Sequence, residues 1–256
     1  MGCDCFDFPK DEVVLQELVE MLTNDDDIVM DFFAGSGTFA HSVMMQNIVD
    51  NSKRRFILVQ LPEPLEPENK KQQIALDFCD RLNVAHNIAA LAQERIRRAA
   101  AKIKEENPDY DGDLGFKVFK LDSSNIRTWN PDRNDLEQTI IDHIEHLIEG
   151  RSEEDVLYEL LLKRGVDLTV PIEEKIITGK TVYSIGYGVL FACLDTSISH
   201  EEVEDLAMGI IGWHKELEPA GDTQVVFRDS AFDGDIAKTN MTAILEQNGI
   251  KHVRSL

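Results

Sequence analysis

The order of apolar and polar positions divides the chain into elements. Residues 11–23 place Val14, Leu15, Leu18, Val19 and Leu22 at helical spacing. The polar run Asn24-Asp25-Asp26-Asp27 ends that pattern. Ile28-Val29-Met30-Asp31 then reads as a short buried strand, Gly35-Ser36-Gly37 as a tight turn, and residues 38–49 as a helix. Phe56-Ile57-Leu58-Val59 reads as a second buried strand. Residues 28–61 therefore predict one βαβ unit, whose crossover makes the two strands parallel.

Pro62, Pro64 and Pro67 mark a loop after that unit. Residues 86–106 form a long helix pattern, and 115–121 (GFKVFKL) alternate as a strand does. Helices are predicted over 133–149 and 152–164, separated by Gly150. The texture changes near residue 166. Thr181-Val182-Tyr183-Ser184-Ile185 and Val189-Leu190-Phe191-Ala192-Cys193-Leu194 flank Gly186-Tyr187-Gly188, which predicts a hairpin. Ser199 is placed to cap a helix through Ile211, with Glu202 completing a capping box. Val225-Val226-Phe227, residues 236–247 and His252-Val253-Arg254 read as strand, helix and strand. The fold class is α/β, with residues 1–150 as one domain, 151–165 as a connecting helix and 166–256 as a smaller C-terminal α/β lobe.

Composition narrows the functions this fold can serve. Hydrophobic residues are 43% of the 256, enough for a packed core. No apolar run reaches the ~18 residues of a membrane helix, and no signal-peptide pattern opens the chain, so a cytoplasmic protein is expected. The formal net charge is −22, spread over both halves. That excludes a protein that wraps nucleic acid with its whole surface, because phosphate neutralisation dominates such binding. Arg95, Arg98 and Lys102 share one helix face, with Arg97 beside it; they suit either a DNA backbone or solvent. Cys3, Cys5, Cys79 and Cys193 do not assemble into a zinc set, and no metal site is expected.

The chemistry sits in Asp31-Phe32-Phe33-Ala34-Gly35-Ser36-Gly37-Thr38. A strand ends at Asp31, and two glycines let the backbone turn sharply and approach a ligand. A helix then begins with free N–H groups. Doubly wound sheets bind adenosine-type cofactors at such a turn. No Gly-Lys-Ser/Thr follows, so it is not a P-loop; Phe39 and Ala40 occupy the region where a dinucleotide fingerprint carries its third glycine.

Those eight residues resemble motif I, D-x-F-x-G-S-G-T, of S-adenosylmethionine-dependent DNA amino-methyltransferases. Phe6-Asp7-Phe8-Pro9-Lys10 resembles the F-D-Y-P-K-P segment, motif X, that precedes motif I in the β-type order, except that Asp11 stands in place of the second Pro. Arg55-Phe56-Ile57-Leu58-Val59-Gln60-Leu61-Pro62-Glu63-Pro64 is similar to the second strand of the methylation subunits of type III restriction–modification systems. Two later stretches also resemble that family: Phe116-Lys117-Val118-Phe119-Lys120-Leu121-Asp122-Ser123-Ser124-Asn125, and Val226-Phe227-Arg228-Asp229-Ser230-Ala231-Phe232 with Lys238-Thr239-Asn240. The resemblance implies part of a doubly wound methyltransferase sheet, S-adenosylmethionine as cofactor, and methyl transfer to adenine N6 in DNA. The cofactor-binding residues it implies are Phe8, Lys10, Asp31, Phe32, Phe33, Ala34, Gly35, Ser36, Gly37 and Thr38. Gln60 or Glu63 is the candidate for the ribose.

The family's Asp/Asn-Pro-Pro-Tyr/Phe motif, which holds the target amine and stacks on the flipped base, is absent. No Pro-Pro pair exists in the chain, and Asn130-Pro131-Asp132 lacks both the second Pro and the aromatic. In the β-type order that motif precedes motif X. A C-terminal fragment, a split gene product or a degenerate copy all fit, with no catalytic residue of its own. The expected partners are DNA, mainly through a missing or separate N-terminal half, and a restriction subunit or second methylation subunit. The alternatives are a non-catalytic cofactor-binding or docking remnant, and a nicotinamide-dependent oxidoreductase.

Overall fold

The parallel βαβ unit read from residues 28–61 is present. The structure is a computed structural model that describes residues 5–6, 10–127 and 147–256. In it β1 (Ile28–Asp31) pairs in parallel with β2 (Arg55–Leu58), with α2 (Thr38–Asp50) as the crossover. The register sets Met30 opposite Ile57. The helix that precedes β1, α1 (Glu12–Leu22), is capped by Asp11, whose carboxylate accepts from the Val13 N–H at 2.8 Å. Val19, Val29 and Val43 lock α1, β1 and α2 together. Two further helices, α3 (Gln73–Leu82) and α4 (Ile88–Glu106), follow. Ile96 and Ile103 of α4 pack on Ala40 and Met44 of α2.

The prolines predict a loop after Leu61, and residues 62–72 form one; α3, which the spacing does not predict, follows it and buries Ala75, Leu76, Phe78 and Cys79 against Leu65 and Leu91. Two local expectations meet corrections here. Residues 115–121 alternate like a strand but form none; Leu121 is fully exposed, and Val118 and Phe119 are close to half exposed. Both β1 and β2 read as strands buried throughout, but only one face of each is covered. The helix predicted over 133–149 lies mostly outside the described residues.

Contacts divide the chain after Lys117, into residues 1–117 and 118–256. The pattern change near 166 places a boundary at 150 and a connector over 151–165. In the structure that connector is α5 (Glu153–Arg164), which packs Val156, Leu157, Leu160 and Leu161 on the second unit's sheet through Ile185, Leu190, Ala192 and Val226. Its start is a capping box between Ser152 and Asp155.

That sheet has five strands in sequence order. They are β3 (Ile172–Ile177), β4 (Lys180–Ile185), β5 (Leu190–Cys193), β6 (Gln224–Phe227) and β7 (His252–Ser255). The first three are antiparallel and the last three parallel. The hairpin around Gly186-Tyr187-Gly188 links β4 and β5. The face opposite α5 is covered by α6 (Val203–Leu217) and α7 (Asp235–Gln247), with Phe191, Ile210, Trp213, Phe227 and Met241 between. The predicted cap at Ser199 is half right. Its N–H and hydroxyl both donate to Glu202 Oε2, at 2.8 and 2.9 Å, but the helix itself begins at Val203.

Candidate cofactor site

The turn between β1 and α2 is built by short-range satisfaction of its own backbone. Asp31 ends β1 and its carboxylate accepts from the Phe33 N–H at 2.9 Å. Ala34 N–H donates to the Val59 carbonyl at 3.1 Å, and Val59 N–H to the Asp31 carbonyl at 2.9 Å, so β2 runs on beside the turn. Gly37 N–H closes the turn on the Ala34 carbonyl at 2.8 Å. Gly35 and Gly37 both adopt positive φ, +52° and +70°, a region that disfavours a Cβ. The start of α2 has no side-chain cap, which leaves its first N–H groups without a local acceptor side chain. Ser36 and Thr38 are buried and share a hydroxyl contact at 2.8 Å.

The two glycines have different surroundings. A Cβ on Gly35 would meet only the Phe33 carbonyl, at 3.8 Å. One on Gly37 would meet Ile96 of α4 at 3.0 Å. Gly35 thus faces open space and Gly37 faces the core. The sequence alone treats both as ligand-facing; only the first has that geometry.

Gln60 is brought to this turn. Its Oε1 accepts from the Gly35 N–H at 2.7 Å, although the two are far apart in sequence. Glu63 is exposed in the following loop, where its carbonyl accepts from Ile88 N–H at 3.1 Å. Of the two ribose candidates, Gln60 is the one in contact with the glycine turn. Phe32 and Phe33 project into solvent, 63% and 87% exposed. Lys10 is exposed immediately before the capping residue of α1; Phe8 lies outside the described residues.

A polar cluster that the spacing does not reveal lies within a turn of Gly37. Glu12 of α1, His41 of α2 and Arg95 of α4 converge there, with Arg95 Nη2 and Glu12 Oε2 3.8 Å apart. Burial, aided by the Arg95 charge, holds His41 below the usual imidazole value. His41 Nδ1 and Arg95 Nη1 are buried with no hydrogen-bond partner. The basic face of α4 is otherwise paired. Arg98 meets Glu94 at 2.7 Å and lies over Phe78, while Lys102 meets Glu106 at 3.7 Å. No cluster of three metal-ligating side chains occurs among the described residues.

The later family-like stretch has a visible structural task. Asn125 is buried; its N–H donates to Glu159 Oε2 at 2.6 Å and its side-chain amide to the Asp155 carbonyl at 3.0 Å. Partial burial opposes ionisation of Glu159, but hydrogen bonds from Lys163, Ser124 and Asn125 overcome it and hold its pKa at about 2.

The DNA methylase family matches residues 4–61, the stretch that contains α1, β1, the glycine turn and β2. The chain is similar in sequence to type III Mod subunits. It is 36% identical to the Mod subunit of the type III restriction–modification enzyme StyLTI of Salmonella typhimurium over 120 residues, 47% of this chain and 17% of that one. The EcoP15I Mod subunit of Escherichia coli is 30% identical over 165 residues, 63% of this chain and 22% of its own length. The EcoPI Mod subunit of Escherichia phage P1 is 28% identical over 187 residues, 72% and 26% of the two. This chain therefore spans about a quarter or less of these relatives.

Proposed function

We propose that this chain forms the S-adenosylmethionine-binding part of a site-specific DNA adenine-N6 methyltransferase of a type III restriction–modification system, and that by itself it transfers no methyl group. The observation that carries this reading is the Asp31–Thr38 turn at the carboxyl end of a parallel strand, inside the stretch that the DNA methylase family matches. The site's residues fit the cofactor. Asp31 offers an anion for the ligand ammonium. The uncapped start of α2 offers N–H donors, Phe32 and Phe33 offer apolar faces, and Gln60 holds the turn through Gly35. Bound S-adenosylmethionine supplies an activated methyl group on sulfur; the chain's own residues bind and orient it.

The acceptor side is what the chain lacks. No Pro-Pro-aromatic segment exists in its 256 residues to hold a flipped adenine. Positioning of that kind contributes as much as ~7–11 kcal/mol to a transfer step. With a net charge of −22 and Arg98 and Lys102 of α4 paired to glutamates, the grip on DNA lies mainly in a missing or separate N-terminal half. In the cytoplasm, a restriction subunit or second methylation subunit would complete the assembly; among the described residues no helix is long and apolar enough to cross a membrane.

Calorimetric titration with S-adenosylhomocysteine and, separately, NAD tests the reading. Heat from the first and none from the second is expected. Binding of NAD alone would replace it with the nicotinamide reading. Tritiated S-adenosylmethionine with mixed-sequence DNA should yield no labelled DNA from this chain alone.

A further inference from the structure

α4 lies against the start of α2. A Cβ on Gly37 would meet Ile96 at 3.0 Å and the Ala92 carbonyl at 3.5 Å. Arg95 falls between those two positions on α4, and His41 follows Gly37 by about one turn on α2. Glu12 is the first residue of α1. Three helices thus bring two basic side chains and one acid together beside the glycine turn.

The cluster is incomplete as it stands. The Arg95 side chain is only 11% exposed, yet the acid nearest it, Glu12, stays 3.8 Å away, beyond hydrogen-bond reach. Arg95 Nη1 is buried without a partner, and so is His41 Nδ1. A buried donor left in that state carries the cost of its lost hydration. The other buried arginine of this unit is treated differently. Arg54, 3% exposed, donates from Nε to Thr23 Oγ1 at 2.6 Å, from Nη1 to Asp50 at 2.7 Å and from Nη2 to the Thr23 carbonyl at 3.3 Å. An arginine with a purely structural task is therefore satisfied in full here, and Arg95 is not.

What Arg95 lacks is an acceptor. A guanidinium nitrogen only donates, and His41 can carry its proton on Nδ1 and donate as well, since nothing fixes that atom. A planar guanidinium is matched best by a carboxylate, which accepts two parallel hydrogen bonds. The uncapped start of α2 favours the same negative charge, and His41 is the fourth residue of that helix. Glu12 is a loose counter-ion, 44% exposed, and a second carboxylate can take its place.

We propose that Arg95, with His41 beside it, receives the methionine carboxylate of S-adenosylmethionine, which displaces Glu12 from the guanidinium. The proposal rests on the cofactor reading above. In that reading Asp31 takes the ammonium of the same amino-acid group. The zwitterion then meets an acid at one end and a base at the other. Asp31 closes β1, Arg95 flanks the start of α2, and the glycine turn joins the two. The adenosine half of the cofactor makes no use of this cluster, so ligands that differ only in the carboxylate isolate its part.

Calorimetric titration of the full chain compares three ligands that share the adenosine: S-adenosylhomocysteine, its decarboxylated analogue, and methylthioadenosine. Wild type should bind the first roughly ten- to a hundredfold more tightly than the second, the range for hydrogen bonds to a charged group. Arg95→Met should lose nearly all of that preference while binding methylthioadenosine as wild type does. Arg95→Lys, which keeps the charge without the planar fork, should keep an intermediate preference. Glu12→Gln removes the competing carboxylate and should raise the preference about two- to fivefold. A merely structural Arg95 would leave the preference where it is in every variant. The proposal is overturned by a preference that Arg95→Met leaves unchanged, or by one that Glu12→Gln leaves unchanged or lowers. Should Arg95→Met melt below the titration temperature, Glu12→Gln decides alone. A wild-type chain that binds S-adenosylhomocysteine and its decarboxylated analogue equally also overturns it, and leaves the cofactor reading standing. If none of the three ligands binds, both readings fall.

Discussion

The two compact units handle a β-sheet in opposite ways. In residues 118–256, five strands are sandwiched: α5 covers one face and α6 with α7 the other, so that Val182, Ile185, Phe191, Ala192, Val225 and Val226 are all without exposure. In residues 1–117, α1, α2 and α4 cover one face of two strands and leave Met30, Ile57 and Val59 close to half exposed on the other. The first arrangement is closed by its own chain. Among the described residues the second is closed on the helix side only, and its glycine turn lies at the edge of what is open. The unit with the recognisable chemistry is thus the more open of the two.

The largest expected effect lies in the closed sheet. Phe191 is fully buried and meets Trp213 edge-on with ring centroids 5.4 Å apart. Phe191→Ala removes a ring from a site packed on both sides and should cost about 3–5 kcal/mol. Denaturant unfolding followed by tryptophan fluorescence measures it. A loss below about 1 kcal/mol would mean that the second unit is as loosely covered as the first.

The next effect is on α5's grip. Glu159 has a folded pKa of about 2 against an ordinary value of 4.5. The sign follows from linkage: the folded form binds its proton less readily, so the contribution is complete above pH 4.5 and is lost as pH falls toward about 2. Glu159→Gln should flatten that part of the stability curve of the second unit. Glu159→Ala should cost about 1.5–3 kcal/mol at neutral pH, the usual worth of hydrogen bonds to a charged group. An unchanged acid limb in the Gln variant would remove Glu159 from the account.

At the glycine turn the effects separate binding from folding. Asp31→Ala should weaken S-adenosylhomocysteine binding roughly five- to 150-fold, since an unpaired ligand ammonium costs about 1–3 kcal/mol. Gly35→Val should block binding with the unit still folded, because the new side chain enters open space, despite the strain of positive φ. Gly37→Val should instead lower stability, as its Cβ starts 3.0 Å from Ile96. Calorimetric titration and thermal melting on the same samples distinguish these outcomes. Equal melting of the two glycine variants would show that Gly37 has more room than the structure gives it.

How much of this was legible beforehand follows from what spacing can carry. Asp31 to Thr38 announced itself because glycines between an apolar run and a helix pattern constrain the backbone locally. The parallel pairing of β1 and β2 followed from the crossover. Gln60 on Gly35 did not, since a side-chain hydrogen bond between distant residues leaves no periodicity. The cluster of Glu12, His41 and Arg95 is hidden for the same reason. β3 was missed because Ile172-Glu173-Glu174-Lys175-Ile176-Ile177 is an edge strand with a charged centre, turned by Thr178 and Gly179 at positive φ. Residues 115–121 gave the converse error: alternation supplies a face but no neighbouring strand to pair with. The bare side of β1 and β2 could not be seen at all, because a strand apolar on both faces reads as buried whether or not its second cover is present.

The smallest expected effect tests that last point directly. Met30 and Val59 are 47% and 43% exposed in the chain alone. Truncating them to alanine removes apolar surface that water already reaches, and no cavity is created. The transfer contribution of burial is about 0.8 kcal/mol per CH₂ only when the group leaves water on folding. Met30→Ala and Val59→Ala should therefore shift stability by no more than about 0.5 kcal/mol each, in the range of ordinary surface substitutions. Val29→Ala on the helix side, buried against Val19 and Val43, should cost several times more. Thermal melting of the three variants reads the asymmetry residue by residue along a single strand pair. If Met30→Ala costs as much as Val29→Ala, the face is already covered in solution, and the contrast between the two units disappears.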